Sequence, residues 1–347
     1  MQSLQLKGPN LCQTVPAAFP SSLTIQEAQH FARHLISLIS SDYLCSANMI
    51  ADIPHASTTE DIFSSLEAMR RQEEAGYKYG DYLAQNPVSS PMSGPQCPVD
   101  AECRVKMAEW CYQVVDFCHF NRETVAIAMS YLDRYLMTAT GKAALENRKL
   151  FQLAAMTCLY TAIKIHEPEA MEPKVVAGLS RGTYTEEQVT SMETVILGAI
   201  NWRMNPPTAL AFVHHYMALL PDDAITSTER IALMELAKCQ TELAVEDYSF
   251  VGVAASTVAM AAFTNALSTS TLSFKDTERF LDALAKLTKI ERHSTLMFAA
   301  QDILCQSVQS SSPVLAKGIA SPKRAVSKMM ENGDQGRSSP RCVVGSQ

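Results

Sequence analysis

Helical periodicity runs through most of the chain. From Thr24, TIQEAQHFARHLISLI sets Ala28, Phe31, Ala32, Leu35, Ile36 and Ile39 on one face of a 3.6-residue helix, which reads as a helix docked on a core or, less blandly, on a partner. A second helical patch, IFSSLEAMRRQEEAGYKYGDYLA, stops at NPVSSPMSGPQCP, where Pro87, Pro91, Pro95 and Pro98 forbid a continuing helix. Past that boundary the pattern predicts helices over about 101–118, 122–138, 147–166, 173–178 and 186–201. Asn121 can cap the second, Thr185 with Gln188 three residues later forms a capping box for the fifth, and Gly141 and Gly182 mark turns. After NPP at 205–207 a second series follows, over about 207–219, 225–246, 250–267, 275–286 and 289–308.

The two series repeat in helix number and spacing but not residue by residue, and the period is too long for a solenoid of short units. The expected fold is all-α: two tandem five-helix bundles, 101–204 and 205–308. An N-terminal extension over 1–100, with amphipathic helices and the Pro-rich linker, precedes them. A tail over 309–347, rich in Ser, Pro, Lys and Arg with little to bury, is expected to be disordered.

Composition narrows the function. The 347 residues are 47% hydrophobic with a net charge of −7, which suits a chain with sizeable cores and weighs against a basic nucleic-acid-binding face. The ten cysteines contain no CxxC pair and read as reduced, mostly buried thiols. Lys7 and Pro9 near the start do not make a secretory signal, and the most apolar segment, Val251 to Phe263, is broken by Ser256 and Thr257, too short for a span of about 18 to 20 residues. The expected location is nuclear and/or cytoplasmic, neither secreted nor in a membrane. HExxH, GxSxG, GxxxxGKS and glycine-rich phosphate loops are not found, and His214 and His215 on an apolar helix read as packing residues rather than ligands. No catalytic residue, metal or cofactor is expected.

Three charges stand where apolar residues should. TVAIAMSYLDRYLM is apolar nearly all round yet holds Asp133, for which Arg104 in RVKMAEW is the candidate buried partner. LFQLAAMTCLYTAIKI carries the single cation Lys164, with Ala154, Ala155 and Ala162 allowing close packing. Glu193 interrupts the stripe Val189, Leu197 and Ile200. From physics alone, Lys164 and Glu193 either pair with each other or meet a partner's backbone.

RVKMAEW, YLDRYL, FQLAAMTCLYTAIK, SMETVIL and NWRMNPPTALAF resemble the successive signatures of a cyclin box. Five positions that cyclin boxes share fall in order on Arg104, Asp133, Leu153, Lys164 and Glu193. The resemblance is specific from about 101 to 213, consistent onward to about 308, and covers neither tail. Its look is that of cell-cycle cyclins near the A, B and D groups, in a divergent algal or diatom form. It implies a non-enzymatic regulatory subunit that binds and activates a cyclin-dependent Ser/Thr protein kinase. Arg104, Asp133 and Leu153 would hold the first bundle. Lys164 and Glu193 would hydrogen-bond kinase backbone, with Ile165, Leu197, Trp202 and Met204 as apolar surroundings. A substrate-docking groove for a basic-x-leucine motif would use Met107, Trp110, Gln113 and Gln152. It departs from the family in having Lys106 where an aliphatic residue is wanted and Gln113 where an acidic one is. Kinase substrates or inhibitors are further candidate partners; nucleic acid and membrane are not.

Ser321 in SPKR, with Ser312 and Ser339 also before proline, are candidate phosphorylation sites, and the KR at 323–324 is too short for a nuclear signal. No LxCxE motif and no RxxL destruction box in the N-terminal segment are found; RIAL at 230–233 reads as helix packing. Two alternatives remain: a transcription-associated protein of the same two-bundle fold, and a helical adaptor without effect on kinase activity.

Overall fold

A computed structural model describes residues 58–85 and 98–318. All regular structure among them is helical: α1 Thr59–Gly76, α2 Tyr82–Gln85, α3 Ala101–Cys118, α4 Glu123–Leu136, α5 Lys142–Glu146, α6 Arg148–His166, α7 Pro173–Leu179 and α8 Glu186–Ala199, then α9 Ala209–Leu219, α10 Ser227–Glu246, α11 Ala255–Leu267, α12 Phe274–Thr288 and α13 Thr295–Gly318. A 3-10 turn, Tyr248–Phe250, lies between α10 and α11. The helix expected from Thr24 falls outside the described residues.

α6 is the axis of the first bundle. Every residue from Phe151 to Ile163 is buried, and α4, α5, α7 and α8 pack around it, which is why its sequence is apolar on all sides instead of along one stripe. Ala154, Ala155 and Ala162, all at most 2% exposed, let neighbouring backbones approach. The expected start signals form. The Asn121 side chain accepts from the Glu123 amide at 2.9 Å, and the Thr185–Gln188 capping box is complete. The one-turn helix α5 was not anticipated; five residues are too few to show a period.

The second bundle is built around α11, with α9, α10, α12 and α13 packed on it. Its third helix begins at Ala255, not 250, because the chain first turns through Tyr248–Phe250 and Gly252, whose φ of +85° suits glycine and whose missing Cβ would stand 3.2 Å from Tyr79 O. The last helix begins at Thr295 and is described as far as Gly318, past the expected tail boundary at 309: elongating a docked helix carries no nucleation cost. Ser312 therefore lies on helical backbone. Ser321, Ser339 and most of the tail lie outside the described residues.

The largest departure concerns the extension. The patch expected as one helical stretch is two helices separated by Tyr77–Asp81, and the first belongs to the second bundle. Ile62, Leu66 and Met69, spaced three and four apart on α1, complete the second core against α9 and α12. Glu73, 4% exposed, accepts from the Ser256 amide at 2.9 Å and the Ser256 hydroxyl at 2.6 Å. A carboxylate thus caps the N-terminus of α11, where the helix dipole favours negative charge. α2 instead plugs the first core with Tyr82, which is fully buried.

Candidate protein-binding face

Arg104 on α3 and Asp133 on α4 form a two-pronged pair, Nε to Oδ1 at 2.9 Å and Nη2 to Oδ2 at 2.8 Å, with 4% and 0% exposure. Tyr82 donates its hydroxyl to Oδ1 at 3.1 Å, and Arg104 Nη1 donates to Val245 O on α10 at 2.8 Å. Burial opposes the guanidinium charge, but Asp133 outweighs it and holds the group above its ordinary range. The pair therefore fastens α3 to α4, as the sequence suggested, and also fastens the first bundle to the second, which it did not. Arg122 makes a second tie, to Asp116 Oδ2 at 2.6 Å and Glu242 Oε2 at 2.7 Å, with its guanidinium 4.3 Å above the Tyr112 ring. Leu153 is 7% exposed in the first core.

Of the six candidate contact residues, Lys164 and Ile165 stand at the end of α6, Glu193 and Leu197 on α8, and Trp202 and Met204 in the turn that follows it. Lys164 Nζ lies 3.1 and 3.2 Å from the two oxygens of Glu193, so the two charges pair across the helices. They are not alike. Lys164 is 48% exposed in its side chain and Glu193 only 10%, so only the lysine stands at the surface. Burial works against the Lys164 charge, yet the Glu193 hydrogen bond and attraction raise its pKa above the ordinary value. Thr161, missed by pattern reading, donates its hydroxyl to Glu193 Oε1 at 3.3 Å, and the Lys164 ammonium lies 5.5 Å from the Tyr160 ring centre.

One turn beyond Glu193, Leu197 O accepts from the Trp202 amide at 3.0 Å, which folds the chain back after α8. Met204 O meets the His166 ring nitrogen at 3.1 Å, two residues past Lys164, and closes the set. Ile165 is 45% and Trp202 70% exposed. The ends of α6 and α8 thus carry a half-exposed isoleucine, a partly solvated cation and a sunken anion, and the turn after α8 a largely exposed indole, residues suited to desolvation against another protein. The other candidate cluster is less open: Met107, Trp110 and Gln152 are at most 8% exposed, Gln152 accepts from Tyr184 at 3.1 Å, and Gln113 is exposed.

His215, half-buried, bonds to Ala211 O at 2.8 Å, whereas His214 is exposed on α9, so the expectation of a packing residue does not hold for it. Among the described residues no group of His, Cys, Asp and Glu is arranged to hold a metal, and no helix is long and apolar enough to cross a membrane. The described cysteines, Cys103, Cys111, Cys118, Cys158, Cys239 and Cys305, are free thiols.

Two helical bundles in tandem, tied by Arg104, with a lysine–glutamate pair at the rim of the first, make up a cyclin fold. A viral cyclin from herpesvirus saimiri superposes with a TM-score of 0.53 at 17% identity, over 70% of this chain and 97% of the viral one. The cyclin N-terminal domain model matches residues 65–205. Cyclin-O of Homo sapiens is 26% identical over 204 residues, 58% of this chain and 54% of that protein. Cyclin-A2-2 of Arabidopsis thaliana is 28% identical over 180 residues, 52% of this chain and 40% of that protein. The chain thus spans about half or less of the length of these two relatives. Residues 65–205 are thus a cyclin N-terminal domain, and the similarity to cyclins extends over about half of the chain.

Proposed function

We propose that this chain is a cell-cycle regulatory subunit that binds and activates a cyclin-dependent Ser/Thr protein kinase through the face formed by Lys164, Glu193, Ile165, Leu197, Trp202 and Met204. The observation that carries the reading is a half-solvated Lys164 whose carboxylate partner is buried, with Ile165 exposed next to it in sequence at the end of α6 and Trp202 exposed just after α8. The subunit supplies no catalytic group. It acts by population shift, binding the kinase conformation in which the mobile regulatory helix is turned inward, so the kinase's own lysine–glutamate pair forms and its activation segment opens. Residence in the nucleus and phosphorylation at Ser321, Ser312 or Ser339 accompany this reading. Docking of basic-x-leucine substrates at Met107, Trp110, Gln113 and Gln152 is a separate arm, tested by peptide competition.

The test is phosphorylation of a Ser-Pro substrate by a panel of purified cyclin-dependent kinases, with and without the chain and its Lys164→Ala/Glu193→Ala variant. Circular dichroism verifies that the variant is folded. Activation that the folded variant loses supports the reading. No binding or activation with any kinase of the panel moves the function to a helical adaptor.

A further inference from the structure

The end of α1 reaches the turn that carries Trp202 and Met204. Arg203 Nη1 donates to Ala75 O at 3.1 Å, and the Arg203 carbonyl accepts from Arg134 Nη2 at 2.8 Å. The Arg134 guanidinium lies 4.7 Å from the ring centre of Tyr77, the residue that follows α1, and 5.6 Å from that of Tyr131. Tyr131 in turn donates its hydroxyl to Met204 O at 2.5 Å, with the His166 ring nitrogen 3.0 Å from that hydroxyl. The backbone of the turn is thus gripped at both consecutive carbonyls, 203 and 204, and on one side the grip passes to α1.

The turn requires a grip. Asn201 and Trp202 both adopt left-handed backbone, φ 54° and 57°, a conformation that costs a non-glycine residue about 1 kcal/mol or more and persists only where surroundings impose it. Its reward is an indole 70% exposed to solvent. We propose that α1 is a clasp on the partner-binding face: through Ala75 O and Tyr77 it fixes Arg203 and Arg134, and through them the presentation of Trp202 and Met204. Tyr77, Arg134 and Arg203 are positioning residues and need not touch the kinase. This deepens the proposed kinase-binding role and rests on it for its binding arm.

Gly76 supplies a clean perturbation. A Cβ there would stand 1.7 Å from Arg203 Nη1, so a single methyl displaces the guanidinium, the far end of a flexible side chain. Gly76 is not among the positive-φ glycines, and alanine favours the helix it ends. The full chain, Gly76→Ala, Arg203→Met and the double variant are compared by melting temperature, time-resolved tryptophan anisotropy and kinase affinity. Trp110, 4% exposed, is packed in the first core, so added fast motion reports on Trp202.

Expected for each single variant are an unchanged or higher melting temperature for Gly76→Ala, a fast anisotropy component lacking in the wild type, and about three- to tenfold weaker kinase binding. The double variant adds nothing further, since both changes break one contact. Unchanged anisotropy in both single variants overturns the clasp, with or without a kinase in hand. Added motion with unaltered affinity overturns its role in binding. If the wild type binds no kinase, the proposed function fails, while anisotropy still decides whether α1 orders the turn.

Discussion

Replacing Asp133 with asparagine keeps the shape of the side chain and removes its charge. The carboxylate is fully buried, takes two bonds from Arg104 at 2.9 and 2.8 Å and one from Tyr82 at 3.1 Å, and is the counter-charge of a guanidinium only 4% exposed. Breaking a buried pair on one side leaves an uncompensated charge and costs about 3–5 kcal/mol. A domain is stable by only about 5–15 kcal/mol, so the loss is a large fraction of the total. For a protein of this size it corresponds to a fall in melting temperature of roughly 6–20 °C. Because Arg104 also donates to Val245 O, the two bundles should loosen from each other as well, and amide exchange in α3 and α10 should accelerate together. Thermal and urea unfolding followed by circular dichroism measure the cost. Arg104→Met/Asp133→Leu, which removes both charges, should recover most of it, less the contact to Val245 O. A loss below about 1 kcal/mol for Asp133→Asn, or a double variant no better than the single, would refute the argument that the charges are buried and mutually dependent.

Three further outcomes follow from the same geometry. Glu73→Ala removes the carboxylate that caps α11 and orphans the Ser256 amide, and should destabilise by about 2 kcal/mol in urea titrations, with α1 the first segment cut by limited proteolysis. Glu246→Gln should stabilise by up to about 1 kcal/mol at neutral pH: burial and then Glu109 raise this carboxyl above its ordinary value, so the folded state takes up its proton more readily and the ionised form is a cost that grows as pH rises from about 4.5. The gain should vanish near pH 4 and would be disproved by pH-independent melting differences. Lys164→Ala should cost about 1 kcal/mol, because Glu193 keeps Thr161 but loses its cation, and a cost of zero in chemical unfolding would mean that the pair is not populated in the free chain.

The sequence by itself determined the all-helical class, most helix boundaries to within a few residues, and the central place of α6, because periodicity, caps and all-round apolarity are local properties read along the chain. It also singled out Arg104, Asp133, Lys164 and Glu193, since a charge on an apolar face is visible without coordinates. Only the tertiary structure decided where α1 packs: Ile62, Leu66 and Met69 announce an apolar face, but which core it completes depends on chain reversal across Tyr77–Asp81. The same is true of contacts made through backbone carbonyls. Val245 O, Ala75 O and Met204 O select Arg104, Arg203 and Tyr131 across separations of 141, 128 and 73 residues. Every residue carries a carbonyl, so no side-chain pattern announces which one accepts. Trp202 shows the division best: the sequence supplied the indole, but the left-handed turn that leaves it facing solvent exists only once α1, α4, α6 and α8 are in place around it.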